Sequence, residues 1–157
     1  LRNPSGVNEI RPTLGLDTAA SWGPKDEALV YQSVHDGNVE IYRLDLDDGI
    51  PAGDPVRLTE HPGADSFPAW SPNGKWVAFI SDRDGNPEIY VMTPDGTDLK
   101  RLSFNSAEEK HLEWSKENRL AFSSDVNGSE DVFIMGPDGG NQQRMTFDIA
   151  QDMTPHW

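Results

Sequence analysis

The residues most able to do chemistry in this sequence are carboxylates placed in short, glycine-containing segments. Residues 82–88 read Asp-Arg-Asp-Gly-Asn-Pro-Glu, with oxygen-bearing side chains at alternating positions. Such spacing is typical of the first half of a calcium-binding loop, because Ca²⁺ is held by several oxygen ligands. The glutamate that would complete the loop at its twelfth position is missing, and a tight turn accounts for the same residues. We therefore predict no metal here and keep calcium as the alternative.

No combination of nucleophile and base stands out. The four histidines, His35, His61, His111 and His156, do not follow a zinc-binding spacing such as His-Glu-x-x-His. The chain has no cysteine, which removes thiolate chemistry and disulfides. It also lacks the Gly-x-Ser-x-Gly segment of a nucleophile elbow. We predict no catalytic residues and a protein that is not an enzyme.

The charge balance restricts the class of partner. With 13 basic and 27 acidic residues the formal net charge is −14, which excludes a general nucleic-acid binder because phosphates need a basic face. Anionic membranes are disfavoured for the same reason, and no apolar run approaches the roughly 20 residues of a membrane span. A basic protein partner or a cation remains compatible with this charge.

The elements that must position these residues form a repeat marked by tryptophan. Trp22, Trp70, Trp114 and Trp157 follow one another at intervals of 48, 44 and 43 residues. Such a period is typical of one propeller blade, which consists of four strands and their turns. Arg-Leu-Thr or a close variant lies 13 residues before three of these markers. We expect the tryptophan rings to pack between neighbouring blades.

The segments between the markers also align. Runs of apolar, β-branched or aromatic residues at 28–33, 76–81 and 119–124 are each followed by an Asp-Gly or Asn-Gly turn and by a second run opening at Glu40, Glu88 or Asp131. Such dipeptides between strand-like runs predict hairpins. Each repeat is therefore predicted as antiparallel strands a to d, where a ends at the marker tryptophan and d holds Arg-Leu-Thr. No helix is predicted, because turn residues interrupt every periodic segment.

The second repeat carries a family resemblance. Residues 67–75 read Phe-Pro-Ala-Trp-Ser-Pro-Asn-Gly-Lys, and residues 78–92 contain Ile-Ser-Asp-Arg-Asp-Gly-Asn-Pro-Glu-Ile-Tyr. This closely resembles the WD-like repeat of the TolB propeller family, which also occurs in the propellers of tricorn-type and prolyl-oligopeptidase-type peptidases. The resemblance extends from about residue 7 to residue 157. It is specific for fold and poorly specific for function, because one scaffold serves many roles.

The resemblance implies an all-β fold, a β-propeller of four-stranded antiparallel blades. Within residues 1–157 we predict a lone outer strand at 7–14, three complete blades at about 18–59, 65–103 and 109–147, and a lone inner strand at 152–157. Propellers of this family close with more blades, so we expect a chain cut from a longer protein or copies that complete a ring together. Open blade edges would favour self-association.

The turns from b to c and the loops from d to the next a leave a propeller at one end, which we call the acidic end. In this sequence it collects Asp17, Asp36, Asp65, Asp82, Asp84, Glu108, Glu109, Asp125 and Asp152, together with Arg83. Gathered carboxylates hold cations or basic segments. We predict that Asp17, Asp65, Asp82, Asp84, Asp125, Asp152 and Arg83 contact a partner. Aspartate is also a common loop residue that bonds nearby backbone amides, and this alternative stays open.

The resemblance implies a non-catalytic protein-interaction scaffold without a cofactor. It also implies a periplasmic or extracellular location and leaves a cytoplasmic one open. Two alternatives remain at this point. The chain could be the propeller domain of a larger prolyl-oligopeptidase-type or tricorn-type peptidase, or a surface module that binds polysaccharide or cations.

Overall fold

A computed structural model of the chain describes residues 16–35 and 37–147. Within these residues one turn of 3-10 helix, Pro24–Asp26, accompanies thirteen strands. The strands are β1 (Leu16–Trp22), β2 (Ala28–His35), β3 (Asn38–Asp47), β4 (Ile50–Pro51), β5 (Val56–Arg57), β6 (Asp65–Trp70), β7 (Val77–Ser81), β8 (Glu88–Met92), β9 (Lys100–Arg101), β10 (Glu109–Trp114), β11 (Leu120–Ser124), β12 (Asp131–Met135) and β13 (Gln143–Arg144). The prediction of an all-β chain is confirmed.

The strands form three antiparallel sheets, one for each predicted blade. Blade one contains β1, β2, β3 and β5 with the short β4, blade two contains β6–β9, and blade three contains β10–β13. The order of strands in blades two and three is the order of the chain, which makes each a meander of strands a to d. The predicted four-stranded antiparallel blades are confirmed. The predicted lone strands at 7–14 and 152–157 lie outside the described residues.

Blade one departs from the other two at its third strand. β3 has ten residues, whereas β8 and β12 have five each. Its extension turns back through Asp48 (φ 50°) and Gly49 (φ 74°) and pairs with β4. Two successive positive φ angles give the hairpin turn whose twist matches that of the strands. The added strand β4 was not predicted from the sequence.

Apolar residues on facing blades form the core. All five residues of β7, β8 and β11 are buried, so these strands are covered on both faces. One cluster joins Val30 and Ile41 of blade one to Val77, Phe79, Tyr90 and Met92 of blade two, and a second joins Ala78, Ile89 and Val91 to Leu120, Phe122, Phe133 and Met135 of blade three. Burial of each Val, Leu, Ile, Phe or Met side chain in these clusters stabilises the fold by about 1.5–3 kcal/mol. Neighbouring blades therefore depend on each other for burial.

The first strand of every blade carries a bulge three residues before its tryptophan. Ala19, Phe67 and His111 have φ angles of 49°, 52° and 55°, and the pairing with strand b shifts register there. Positive φ in a non-glycine residue is strained, and bulges re-aim the side chains beside them. The bulge is thus a repeated feature of strand a.

In residues 16–35 and 37–147 the structure contains no helix with the length and hydrophobicity of a bilayer-spanning segment.

Candidate binding site at the acidic end

The acidic end is the end at which strand b turns into strand c. In blade two, Asp65 at the start of β6 pairs with Ser81 at the end of β7, and Ser81 pairs with Glu88 at the start of β8. Blade three has the same register at its equivalent positions. Starts of strand a, b–c turns and the loops that follow strand d therefore lie together.

A buried glutamate organises this end of blade two. Glu88 is fully buried, and its carboxylate lies 2.6 Å from Nη2 of Arg101. The hydroxyl of Ser103 and the backbone N–H of Asn105, at 3.1 Å, also donate to it. A buried charge is stable only when it is paired and hydrogen-bonded, and these donors meet that condition. They connect strand c to strand d and to the loop that leads to blade three.

The same arrangement recurs in the other two blades. In blade one, Nη2 of Arg57 lies 2.9 Å from Glu40, and the Thr59 hydroxyl donates to the same carboxylate at 2.6 Å. In blade three, Nη2 of Arg144 lies 2.7 Å from Asp131. The three carboxylates are fully buried. The arginine of the Arg-Leu-Thr segment is thus the counter-ion of the acidic residue that opens strand c.

Asp65 and Arg83 form a second internal ion pair in blade two. Nη2 of Arg83 lies 2.9 and 2.8 Å from the two oxygens of Asp65, and Nε donates to Ser81 Oγ at 2.8 Å. The guanidinium lies over the Tyr90 ring, 4.8 Å from its centre. Asp65 has no exposed surface. We predicted it as a partner contact, but in this structure it is an internal counter-ion that a partner cannot touch directly.

Asp84 is exposed and shares its carboxylate between two neighbours. It accepts hydrogen bonds from the Tyr90 hydroxyl and from Nη1 of Arg101, the latter at 2.9 Å. The bond from Tyr90, assisted by the charge of Arg101, holds the pKa of Asp84 below its usual value. Burial and the bond to Asp84 raise the pKa of Tyr90 to about 12. Asp84 is therefore accessible to a partner, with part of its charge balanced.

Asp82 and Asp125 connect the b–c turns to the loops before strand a. Asp82 Oδ1 accepts from the backbone N–H of Ala64 at 2.7 Å, and Asp125 Oδ1 accepts from that of Glu108 at 2.9 Å. This is the backbone-bonding role that remained open from the sequence. Both side chains are nevertheless exposed, so they still present negative charge at the acidic end.

The remaining predicted contacts lie towards the ends of the described chain. Asp17 is exposed on β1, and its charge adds to burial in raising the pKa of Tyr31 to about 12. Asp152 and the marker Trp157 lie outside the described residues.

Residues 82–88 do not fit a calcium ion in this conformation. The carboxylate of Asp82 accepts from the backbone N–H of Ala64, and the carboxylates of Asp84 and Glu88 are both occupied by the guanidinium of Arg101. No three acidic or histidine side chains converge as a ligand set within residues 16–35 and 37–147. The stretch forms a b–c turn.

The surface charge of the acidic end comes from residues outside these pairs. Arg57, Arg83, Arg101 and Arg144 are all bound to buried carboxylates. Lys110 lies 3.3 Å from Glu108. The exposed carboxylates at this end are Asp17, Glu60, Asp82, Asp84, Glu108 and Asp125. The end is therefore negative at its surface although it contains four arginines.

Two exposed phenylalanines stand among these charges. Phe104 and Phe147 are each 74% exposed and follow the strand-d arginine by three residues. Arg101 lies 4.9 Å from the ring centre of Phe104, and Arg144 lies 5.2 Å from that of Phe147. Because each arginine is fixed by a buried carboxylate, each ring rests on an ordered support.

Glu109 is a buried carboxylate that has no cationic partner among the described residues. It occupies in blade three the position of Asp65 in blade two. Oε1 accepts from the Asn105 amide at 2.7 Å, whereas the buried Oε2 has no hydrogen-bond partner. Burial, with the charges of Glu88 and Asp125, raises the pKa of Glu109 to about 7.

The described marker tryptophans differ in their burial. Trp114 is 7% exposed, and its Nε1 donates to the carbonyl of Ala69 in blade two at 2.9 Å. Trp70 packs against the cluster between blades one and two, under the guanidinium of Arg43 at 5.7 Å. Trp22 is 59% exposed on β1, the first described strand. Trp70 and Trp114 thus lie between blades.

Sequence reasoning missed the buried ion pairs between strands c and d. The acidic residue that opens strand c and the arginine of strand d recur together in all three blades: Glu40 with Arg57, Glu88 with Arg101 and Asp131 with Arg144. A charge pair that recurs with the strand pattern predicts a cross-strand contact. That signal was present in the aligned repeats and could have identified the pairs.

Comparison with known proteins agrees with this geometry. The family model of the TolB beta propeller domain matches residues 3–119 and 57–157. No curated protein sequence matches the chain. Among solved structures, TolB from Acinetobacter baumannii is 26% identical with a TM-score of 0.71, and the match covers 91% of this chain and 36% of that one. A protein described as a TolB from Agrobacterium tumefaciens is also 26% identical with a TM-score of 0.74, covering 85% and 50%.

A peptidase propeller has the same fold. A puromycin-hydrolyzing peptidase from Mycobacterium tuberculosis is 14% identical with a TM-score of 0.71, and the match covers 87% of this chain and 22% of that one. The chain spans half or less of the length of each of these structures. With matches that together extend over residues 3–157, the chain belongs to the TolB β-propeller domain family.

Proposed function

We propose that this chain is a non-catalytic, protein-binding segment of a propeller, which holds a basic partner segment at its acidic end. The observation that supports this most is the division of charge there. The arginines are bound to buried carboxylates, while carboxylates such as Glu60 and Glu108 face solvent. A negative surface attracts basic partners and accelerates their association.

Phe104 and Phe147 supply the apolar part of this surface. Large exposed aromatic side chains surrounded by polar residues mark interaction sites, and aromatic anchors contribute much of the binding energy at interfaces. Both rings rest on arginines that are already ordered, so little conformational entropy is lost when a partner covers them. The partner that fits is a segment in which basic residues alternate with apolar ones.

The only serine–histidine contact within residues 16–35 and 37–147 supports a non-catalytic role. His111 Nδ1 lies 3.0 Å from Ser123 Oγ. Ser123 is fully buried, and its hydroxyl donates to Glu130 at 2.9 Å. Glu130 is also nearest to Nδ1 of the histidine, at 3.9 Å, so it does not orient the ring from the opposite nitrogen as a triad acid does. We therefore infer that the chain is not an enzyme.

The location that suits this function is the periplasm or the cell exterior, a proposal that rests on the family alone. The matched segments cover 50% and 36% of the two TolB structures, so each of those proteins extends beyond the aligned segment.

Charge reversal tests the proposal. Fluorescence anisotropy measures binding of a labelled peptide of alternating Lys and Phe, and of its Glu-for-Lys counterpart, at low and high salt. The double variant E60K/E108K is expected to lower the affinity for the basic peptide about tenfold, because each exposed charge contributes up to about 1 kcal/mol to binding. The variant F104A/F147A should weaken binding of the basic peptide by more than E60K/E108K does. It should change the salt dependence of binding less than E60K/E108K does, because it removes no charge.

The matched control reverses two exposed carboxylates at the opposite end, in D54K/E117K. It changes the net charge equally and should leave peptide affinity close to that of the parent chain. Equal losses in both double variants, or equal binding of the basic and acidic peptides, would show that the acidic end is not the binding surface.

A further inference from the structure

The internal ion pair of blade two shows what the fold places at the start of strand a. There the Asp65 carboxylate holds the Arg83 guanidinium, which also lies over the stacked rings of Phe79 and Tyr90. These rings are 5.8 Å apart and belong to the cluster between blades one and two. A carboxylate above an aromatic pair is thus satisfied by a guanidinium lodged between two blades.

Blade three has the equivalent carboxylate and aromatic ring pair but has no arginine at the position of Arg83. Glu109 stands at the position of Asp65, and Phe122 and Phe133 form the equivalent ring pair at 5.6 Å. Val126 stands where Arg83 would be, two residues after the last residue of strand b. Glu109 is 1% exposed, and its Oε2 is unpaired. An unpaired buried carboxylate oxygen is costly, and a cation would relieve that cost.

A cavity lies beside this carboxylate. It has a volume of about 340 Å³ and lies between the first strands of blades two and three. Phe67, Ile80 and Pro87 line it from blade two, and Glu109, Lys110 and His111 line it from blade three. Its walls are mostly apolar and contain one buried carboxylate beside the side chains of Lys110 and His111. Such a lining is suited to a ligand that has a charged head and a short apolar stem.

We propose that this cavity binds a guanidinium group on a short apolar stem, which pairs with Glu109 as Arg83 pairs with Asp65. A planar guanidinium offers parallel N–H donors that match both oxygens of a carboxylate. The group belongs either to a small ligand or to an arginine side chain of a partner protein, and the two sources share the same recognition. None of the exposed carboxylates of the acidic end lines this cavity.

The charges around the cavity favour a cation. Glu88 and Asp125 are close enough to raise the pKa of Glu109, and a cation would be attracted by all three carboxylates. On the other side, Lys110 and His111 line the cavity, and the Lys110 side chain is 45% exposed. Since Glu109 ionises near pH 7, guanidinium affinity is expected to increase between pH 6 and pH 8.

The probe is n-butylguanidinium, with uncharged n-butylurea as its matched control. Both are titrated into the 157-residue chain and followed by backbone amide shifts in two-dimensional NMR. We expect saturable shifts around Glu109 and His111 with butylguanidinium, and affinity at least tenfold lower with butylurea. E109Q keeps the shape of the side chain and removes its charge, and should also lower butylguanidinium affinity at least tenfold.

Two exchanges between the blades complete the test. V126R supplies an internal guanidinium and should raise the melting temperature while removing butylguanidinium binding. R83A creates the complementary situation in blade two and should add a second butylguanidinium site near Asp65. Equal affinity for butylguanidinium and butylurea, or unchanged binding in both E109Q and V126R, would overturn the proposal.

A short peptide, acetyl-Leu-Arg-Leu-amide, distinguishes the two sources. Tighter binding than butylguanidinium indicates an arginine side chain of a partner, and weaker binding indicates a small ligand. E60K reverses an exposed carboxylate of the acidic end in the loop between blades one and two, and it should leave butylguanidinium affinity unchanged. A failure of the acidic-end function and a failure of this cavity are therefore separable.

Discussion

Arg101 joins the interior of blade two to its surface through Glu88. Nη2 of the arginine lies 2.6 Å from the fully buried carboxylate, while Nη1 lies 2.9 Å from the exposed Asp84. The same guanidinium supports the ring of Phe104. The Arg101 side chain thus contacts a buried carboxylate on one side and two exposed side chains, which a partner could touch, on the other. The position of the acidic end depends on an ion pair whose carboxylate is fully buried.

Removal of the buried carboxylate should therefore destabilise the fold strongly. We expect E88A to lower the free energy of unfolding by about 3 kcal/mol, because Arg101 and the other donors lose their acceptor in a buried place. Urea unfolding followed by tryptophan fluorescence measures the change. E108A removes an exposed carboxylate near Lys110 and should change stability by no more than about 0.5 kcal/mol. A loss below about 1 kcal/mol for E88A would contradict the structural role of the pair.

Glu109 should make stability depend on pH in the neutral range. In the folded chain its pKa is about 7 against an ordinary value of 4.5, so the folded state holds a proton that the unfolded state has lost. Stability therefore falls as pH rises from about 4.5 to 7 and then levels off. E109Q lacks this loss, and its advantage over the parent chain should grow from near zero at pH 4 to roughly 1–3 kcal/mol at pH 8. Urea midpoints at a series of pH values test this, and a constant difference would contradict it.

The blades could be predicted from the sequence because their signals are local. The spacing of the tryptophans and the Asp-Gly and Asn-Gly turns determine where strands a, b and c begin and end, and the structure has them there. The hairpin that contains β4 was not predicted. No local sequence signal distinguishes the long β3 from the five-residue third strands of the other two blades, and only its pairing with β4 reveals the difference.

The b–c turns and the starts of strand a lie at one end of the blades, as the sequence predicted, but the sequence did not show which of the carboxylates there are buried. Asp65 and Asp84 look alike in the sequence, since both are loop-flanking aspartates, yet one is fully buried and the other is exposed. They pair with different arginines: Asp65 binds Arg83 of the b–c turn, whereas Asp84 binds Arg101 of β9. Whether a charged side chain is buried depends on partners that are distant in the sequence. The sequence of one loop therefore does not predict it.

The marker tryptophans should contribute unequally to stability. Trp114 is buried between blades two and three and bonds the Ala69 carbonyl, whereas Trp22 is 59% exposed. We expect W114A to lower the free energy of unfolding by about 3–5 kcal/mol and W22A by much less. W114F keeps most of the packing and isolates the hydrogen bond, with an expected loss of about 1–2 kcal/mol. Equal losses for W114A and W22A in urea unfolding would mean that the ring is not a contact between blades.

Close contact between the two loops of the acidic end should make Gly63 intolerant of a side chain. A Cβ at this position would lie 2.6 Å from Oδ1 of Asp82 and 2.9 Å from the backbone of Arg83. Because backbone atoms cannot move aside as a flexible side chain does, we expect G63A to cost about 1–3 kcal/mol. It should also disturb the amide resonances of Ala64 and Arg83. G53A is the matched control, since nothing lies within 4 Å of its added Cβ, and a similar cost in both variants would contradict close packing of the loops.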